Sequence, residues 1–310
     1  MKPEISVVAP AYNEARSIHE FIAAVRRALG EEVAVEIIVV DDGSTDETAA
    51  EVRAIRELDP LVRLVRLSRN FGNQAAFLAG LRAARGRAVI TMDCDLQNPP
   101  DELPRMVAAW RKGARVVQMV RRGNPDATLA TRATSRMFEW VLRCLSGLPL
   151  VPGAGDFRLL DARAAEQVMR FSESRPFYRG MVSWLAIPTV YLEYEAHPRA
   201  AGHSGIGLHK RLRISLDAIT ALSIRPLRIA LLLGLIAVTL SMAYLVVVLV
   251  AYFAGHSVAG YPTIIFTVVF LGAVQLICAG VLGEYIGRIH EQTRGIPPYV
   301  VAEADEEFDE

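Results

Sequence analysis

From Ile229 to Gly283 the chain carries no Asp, Glu, Lys or Arg: 55 residues in which His256 is the only titratable side chain apart from tyrosines and Cys278. A helix that crosses a bilayer needs about 20 apolar residues. The stretch therefore holds two spans, Ile229–Ala254 and Pro262–Gly283. Between them, Gly255-His-Ser-Val-Ala-Gly-Tyr-Pro262 has the Gly and Pro punctuation of a short turn. The alternative is the buried hairpin of a soluble protein, but soluble cores rarely run so long without charge.

The flanks give an orientation. Lys210, Arg211, Arg213, Arg225 and Arg228 precede the first span, Arg288 and Arg294 follow the second, and the connecting loop has neither Lys nor Arg. The positive-inside rule puts both flanks, and so both termini, in the cytoplasm. Just upstream, Leu208, Leu212, Leu216, Ile219 and Leu222 recur at spacings of four and three, with Lys210, Arg211, Arg213 and Asp217 off that stripe. This pattern fits an amphipathic helix in the membrane interface, its cations near anionic headgroups. A helix packed on the soluble domain has the same pattern.

The whole chain balances 34 Lys+Arg against 34 Asp+Glu. Zero net charge argues against a nucleic-acid partner. The balance is a sum of unlike parts: residues 199–228 carry six basic residues against one acidic, residues 284–310 two against eight, and residues 1–198 are nearly neutral. The last part reads as an acidic, disordered tail. Three cysteines, Cys94, Cys144 and Cys278, make no paired framework and read as reduced thiols. Met-Lys-Pro-Glu runs straight into the strand-like Ile5–Ala9, so no cleaved signal peptide is expected.

Residues 1–200 alternate strand and helix signals. Apolar or β-branched runs at Ile5–Ala9, Val35–Val40, Val62–Leu67, Ala88–Met92 and Arg115–Val120 predict strands. Glu14–Leu29, Thr48–Leu58, Gln74–Arg85 and Asp101–Arg111 have helical spacing. Repeated βα units imply an α/β fold with a mostly parallel sheet. Such sheets bind ligands at the carboxyl ends of their strands. Four predicted strand ends carry polar groups: Tyr12-Asn13-Glu14, Asp41-Asp42, Ser68-Arg69-Asn70 and Asp93-Cys94-Asp95. Neither a P-loop, a dinucleotide fingerprint nor zinc-ligand spacing is present.

Asp93-x-Asp95 is the sharpest of these features. Two carboxylates one residue apart at a strand end can hold a hard divalent cation, Mg²⁺ or Mn²⁺, that completes its shell with phosphate oxygens and water. Gln97 is a further oxygen donor, and Pro99-Pro100 stops the strand and sets up the next helix. In Asp41-Asp42-Gly43-Ser44-Thr45-Asp46, Ser44 or Thr45 is expected to cap a helix. Capping leaves Asp41 or Asp42 to accept hydrogen bonds from a ribose or a base.

Ala9-Pro-Ala-Tyr-Asn-Glu14, Val40-Asp-Asp-Gly-Ser-Thr-Asp46, Leu67-Ser-Arg-Asn-Phe-Gly-Asn-Gln74, Met92-Asp-Cys-Asp-Leu-Gln-Asn-Pro-Pro100 and Gly155-Asp-Phe-Arg-Leu-Leu-Asp161 stand in this order along the chain. Together they resemble the inverting family 2 glycosyltransferases of GT-A fold. Within them the chain is similar to the polyprenyl-phosphate transferases of the dolichol-phosphate mannose synthase and bactoprenol glucosyltransferase types. The resemblance covers residues 4–295. It implies transfer of a sugar, with inversion, from a nucleoside-diphosphate sugar (UDP favoured) to the phosphate of a membrane polyprenyl phosphate. By the same resemblance Pro10, Tyr12 and Glu14 line the nucleotide pocket and Asp42 meets the base or ribose. Asp93, Asp95 and Gln97 bind the metal, Arg122, Arg132 and Ser135 lie near the phosphates, and Asp156 lies beside sugar and acceptor. The resemblance also admits a homo-oligomer, a tetramer among the states left open.

Two departures from the family pattern stand out. Cys94 replaces an Ala, and Asn98 an Asp, around the two aspartates. Gly205 and Ile206 stand where relatives often carry Lys and an aromatic, leaving Lys210, Arg211 or His203 to meet phosphate, with His209 also nearby. Two rival functions have some support in the residues. Gln167-Val-Met-Arg-Phe171 is similar to a motif of processive polysaccharide synthases, but two spans are too few for a translocation channel. A non-catalytic accessory protein for lipid-sugar export sits poorly with the intact Asp93, Asp95 and Gln97. The expected organisation is a catalytic domain over 1–200, a juxtamembrane loop and interface helix over 201–228, a membrane hairpin over 229–287 and a cytoplasmic tail over 288–310.

Overall fold

Two seven-residue runs, Ile5–Ala11 (β1) and Val35–Asp41 (β2), are buried at every position, as strands covered on both faces must be. The computed structural model describes residues 3–30, 33–122, 151–171, 176–195, 223–255 and 261–304. The chain divides into two units. One comprises Met1–Trp140, Leu148–Leu208 and Ile296–Glu310, the other Val141–Gly147 and His209–Gly295.

In the first unit β1 and β2 are joined by β3 (Val62–Leu67), β4 (Ala88–Thr91), β5 (Val116–Arg121), β6 (Ala154–Asp161), β7 (Thr189–Tyr194) and β8 (Val301–Ala304). They form one sheet in the order β7-β5-β6-β4-β1-β2-β3-β8. β1 pairs in parallel with β2 and β4, β2 with β3, and β5 with β7. β6 runs antiparallel between β4 and β5, and β8 antiparallel to β3. The expected α/β class with a mostly parallel sheet is what the structure has.

The helices are α1 (Ile18–Leu29), α2 (Thr48–Leu58), α3 (Asn73–Ala83), α4 (Leu103–Arg111), α5 (Ala162–Met169) and α6 (Tyr178–Trp184). α1 turns Ile18, Phe21, Ile22, Val25 and Leu29 onto the sheet, one apolar stripe of a 3.6-residue period. Val7, Ile37, Val39 and Ile90 pack on that face with residues of α1 and α4, while Val8, Ile38, Val40 and Val89 pack on the other with residues of α3, α5 and α6. Each such side chain removed from water contributes about 1.5–3 kcal/mol.

The boundaries differ from the sequence reading where loops do local work. α1 begins at Ile18, not Glu14, because Ser17 N–H turns back to the Glu14 carbonyl at 3.0 Å. α2 begins at Thr48 and is not capped by Ser44 or Thr45. Asp46 Oδ1 accepts the Thr48 N–H at 3.1 Å instead, and Ser44 Oγ accepts the Asn13 N–H at 2.9 Å. Pro100–Glu102 is a single 3₁₀ turn leading into α4.

The tail also departs from expectation. Val301–Ala304 is a strand, not disordered chain, its pairing with β3 reinforced by a bidentate Arg53–Glu303 ion pair (2.9 and 2.6 Å). β-Branched Val300 and Val301 outweigh the acidic surroundings there.

The second unit holds α7 (Arg225–Phe253) and α8 (Tyr261–Thr293). Arg225–Ala251 and Thr267–Thr293 are long and apolar enough to cross a membrane, with mean hydropathies of 2.6 and 1.8. α7 begins four residues before the expected Ile229 and α8 runs past the expected Gly283, and Tyr285 O–H donates to the Ser223 carbonyl at 2.6 Å beside the start of α7. Leu231, Leu235, Val247, Leu276 and Ile277 are exposed. Most of the expected interface helix over 208–224 lies outside the described residues.

Candidate active site

The parallel strands β1, β2, β3 and β4 all end at one edge of the sheet, and antiparallel β6 begins there. In the β4–β6 register Thr91 faces Arg158. Two further residues along each strand bring Asp93 and Asp156 to the same edge. Their charges interact, since Asp156 is one cause of a raised Asp93 pKa.

The loop after β2 is built on carboxylates. Asp41 Oδ1 accepts the Ser44 N–H at 2.8 Å. Asp42 is buried, and its two oxygens accept the N–H groups of Phe71 (2.7 Å) and Gly72 (2.9 Å) in the loop after β3. Burial pushes the Asp42 carboxyl up, these two donors pull it down, and Asp41 adds repulsion. The residue expected to meet a ribose or base thus has a structural task, holding two strand-end loops together. Gly43 fits between those loops at φ +70°, where an added Cβ would lie 2.5 Å from the Arg69 carbonyl carbon.

Of the other nucleotide-pocket candidates, Tyr12 is 46 % exposed beyond β1. Asn13 takes a left-handed turn (φ 57°), and its Oδ1 accepts the Thr45 N–H at 2.9 Å. Glu14 accepts the Ser17 hydroxyl at 2.6 Å. The Pro10 carbonyl accepts the Cys94 thiol at 3.0 Å, tying the β1 and β4 ends together.

After β4 the chain turns through Leu96 at φ 59°, and the Gln97 N–H reaches Asp95 Oδ1 at 3.1 Å. Half-buried Asp93 accepts neutral amide donors, Asn73 Nδ2 at 3.0 Å and Asn98 Nδ2 at 3.4 Å. Burial, then repulsion from Asp156 and Asp95, raises its carboxyl to about 6 against the pull of Asn73 and Arg179.

Asp156 is set by a bulge. Val120 of β5 faces Ala154 while Gln118 faces Arg158, so Gly155, Asp156 and Phe157 oppose Met119 alone. Gln118 Nε2 holds the bulge, lying 2.8 Å from the Met119, 3.2 Å from the Gly155 and 3.1 Å from the Phe157 carbonyl oxygen. Bulges re-aim side chains in this way. Asp156 is buried, and Arg179 Nε and Nη2 each donate to it at 2.9 Å and Gln74 Nε2 at 3.1 Å. Burial opposes its ionisation, but Arg179, Arg158 and Gln74 outweigh this and hold the carboxyl below the usual range.

Arg122 stands at the end of β5, 63 % exposed, paired with Glu193 (2.9 Å) and Glu195 (3.6 Å). Arg132 and Ser135 lie outside the described residues. Sequence reasoning missed Arg179, Gln118 and the role of Gln74. Gln74 closes a motif already singled out, whereas nothing local marks the other two.

The residues suit a divalent cation. Asp93, Asp95 and Asp156 carry three negative charges against Arg158 and Arg179, and Asp93 meets neutral amides and two repelling carboxylates. Among the described residues no three His, Cys, Asp or Glu side chains form a metal-binding group. A cation here would rely on Asp93, Asp95 and an amide oxygen, with the rest of its shell from a ligand.

The sequence model of glycosyl transferase family 2 matches residues 6–169, more than half of the chain. This chain is a family 2 glycosyltransferase. A second model, the GtrB C-terminal hairpin, matches residues 225–289 of the glycosyltransferase, spanning α7 and most of α8. The chain is 36 % identical over 304 residues to the bactoprenol glucosyl transferase of Shigella phage SfX, covering 96 % of this chain and 98 % of that one. It is 34 % identical over 302 residues to a prophage bactoprenol glucosyl transferase homolog of Escherichia coli (strain K12), with the same coverage. An uncharacterized glycosyltransferase of Bacillus subtilis (strain 168), YkcC, is 33 % identical over 300 residues, 96 % and 93 % of the two chains. Among solved structures, one described as a mycobacterial protein has a TM-score of 0.50 at 24 % identity over 69 % of this chain and 73 % of that one, a likeness of fold.

Proposed function

We propose that this family 2 glycosyltransferase moves a sugar, with inversion, from a nucleoside-diphosphate sugar, UDP-linked, to the phosphate of a membrane polyprenyl phosphate. The observation that carries the reading is the meeting of Asp93 and Asp95 with the Asp156–Arg179 pair at one sheet edge. That edge belongs to a chain with a charge-free hairpin. Whole-length relatives named for bactoprenol support the lipid acceptor.

The acceptor accounts for the electrostatics. A phosphate monoester is largely ionised at neutral pH, its second pKa being about 6. It is a ready nucleophile, and no strong base is required of the protein. Asp156 is unsuited to be one, since both oxygens already accept N–H donors and its proton affinity is low. Its role is to orient. Asp93, Asp95 and Gln97 would hold Mg²⁺ or Mn²⁺, which when bound supplies positive charge to the leaving diphosphate. Tyr12 and Glu14 line the nucleotide side, and Arg122, Arg132 and Ser135 the phosphate side.

The chain leaves the first unit before α7 and returns to it as β8. Two crossings between those points put both hairpin ends on one face of the membrane, the cytoplasmic face by the basic flanks. The proposed organisation is a catalytic domain, a juxtamembrane collar, a hairpin in the inner membrane and a returning tail.

The test is to incubate the purified protein with Mg²⁺ or Mn²⁺, polyprenyl phosphate and a panel of nucleotide sugars, and to identify the lipid product by mass. A polyprenyl-phosphate monosaccharide is expected, and Asp95→Ala should abolish it while leaving the protein folded. Polymer would mean a synthase, and no turnover with any donor an accessory role.

A further inference from the structure

We propose that Arg179 is a phosphate-binding residue of the transfer site, held at its mouth by Asp156. The inference rests on the transferase reading above.

Arg179 owes its position to its neighbour. Tyr178 is fully buried, its ring stacked on Phe77 (5.5 Å between centroids), its hydroxyl 3.1 Å from Thr91 Oγ1, and the Arg158 guanidinium 4.8 Å above its face. Thr91 Oγ1 also donates to the Asp156 carbonyl at 2.6 Å. The start of α6 is thereby pinned to β4 and β6, and the next side chain is delivered to the Asp156 carboxylate.

The guanidinium spends one edge there. Nε and Nη2 each donate to Asp156 at 2.9 Å, two of five N–H groups. In that fork Nη1 and the outer N–H of Nη2 point away from the carboxylate. The Arg179 side chain is 44 % exposed beside a 3 % exposed Asp156, so part of it reaches the open side of the pair. A guanidinium edge matches two phosphate oxygens as it does a carboxylate.

Arg158 is buried, 4.0 Å from Asp156, so two guanidiniums meet that one carboxylate, and Asp156 does not neutralise both. Arg179 also interacts electrostatically with Asp93. The cationic edge therefore stands next to the carboxylates that suit a metal, where phosphate oxygens gather in a transfer reaction. Those oxygens belong to the donor diphosphate or to the acceptor phosphate, and both present the same chemistry.

The experiment uses the full chain in detergent with two calorimetric titrations that need no turnover: UDP with Mg²⁺, and farnesyl phosphate. Arg179→Gln is expected to weaken one of them by on the order of ten- to a hundredfold, as loss of a charge-assisted pair does. Weaker UDP binding assigns the donor diphosphate, weaker farnesyl phosphate binding the acceptor. Arg179→Lys, which keeps the charge without the fork, should recover part of the loss. Both affinities within about threefold of the unaltered chain overturn the proposal. If Asp156 left without its partner unfolds Arg179→Gln, then Asp156→Asn with Arg179→Gln is compared with Asp156→Asn alone, under the same criteria. Failure of the unaltered protein to turn over any donor would reject the transferase reading separately.

Discussion

The Cys94 thiol donates to the Pro10 carbonyl at 3.0 Å, so the side chain between Asp93 and Asp95 is spent on bracing the adjacent strand end. Burial, then the charges of Glu14, Asp93 and Asp95, pushes this thiol well above its ordinary range. Cys94 should resist maleimide in the folded protein at pH 8 and react after denaturation, as read by peptide mass. Labelling at the rate of a free thiol would show that the β4 loop opens.

Asp93→Asn should stabilise the protein while abolishing transfer. A carboxyl raised to about 6 from 3.8 is disfavoured once ionised, so its penalty is absent below pH 3.8, grows as pH rises, and is complete above about 6. With allowance for its partial exposure, the gain at pH 7.5 should be about 1–2 kcal/mol and should vanish near pH 4. Melting curves across this range check the sign, and a lower melting temperature at pH 7.5 would contradict it. Added Mn²⁺ should raise the melting temperature at pH 7.5 more than at pH 5, where protons compete for Asp93.

Gly43→Ala places a Cβ 2.5 Å from the Arg69 carbonyl carbon at a φ that side chains avoid. The left-handed conformation alone costs about 1–2 kcal/mol. The clash must also part the loops that Asp42 joins, so UDP affinity should drop more than stability does. A melting curve and a UDP titration on the same sample would show it, and unchanged UDP affinity would mean these loops do not bound the nucleotide site.

Gln118→Leu removes the amide that holds the β6 bulge. The expected result is a turnover number lower by about tenfold or more, because Asp156 and the Arg179 fork on it shift, with UDP affinity falling no further than Arg179→Gln lowers it. A turnover number within about threefold of the unaltered chain would mean that the bulge does not set Asp156.

The strands that fill the centre of the sheet were legible because burial on both faces demands uninterrupted apolar runs. Val62–Leu67 and Thr48–Leu58 have the bounds read from the sequence. Asp93, Asp95 and Asp156 were legible as motif residues brought together by the topology. The rest was hidden for identifiable reasons. β6 carries a bulge that breaks its alternation, β7 is an edge strand with Val190 and Tyr191 exposed, and β8 is four residues in an acidic setting. Arg179 depends on Tyr178 meeting Phe77, a contact between residues about a hundred apart. The bracing role of Asp42 was hidden because its partners, the Phe71 and Gly72 N–H groups, are backbone donors that no residue type announces.

β8 closes against β3, yet β3 ends at Leu67 and β8 starts at Val301. During synthesis the β3 edge therefore stays open until the hairpin has emerged, and an open edge is a template for pairing with other chains. A chain stalled or truncated before Val301 would keep that edge sticky. β8 thus takes over as the edge on that side, and β3 is covered only in molecules whose hairpin has already been made.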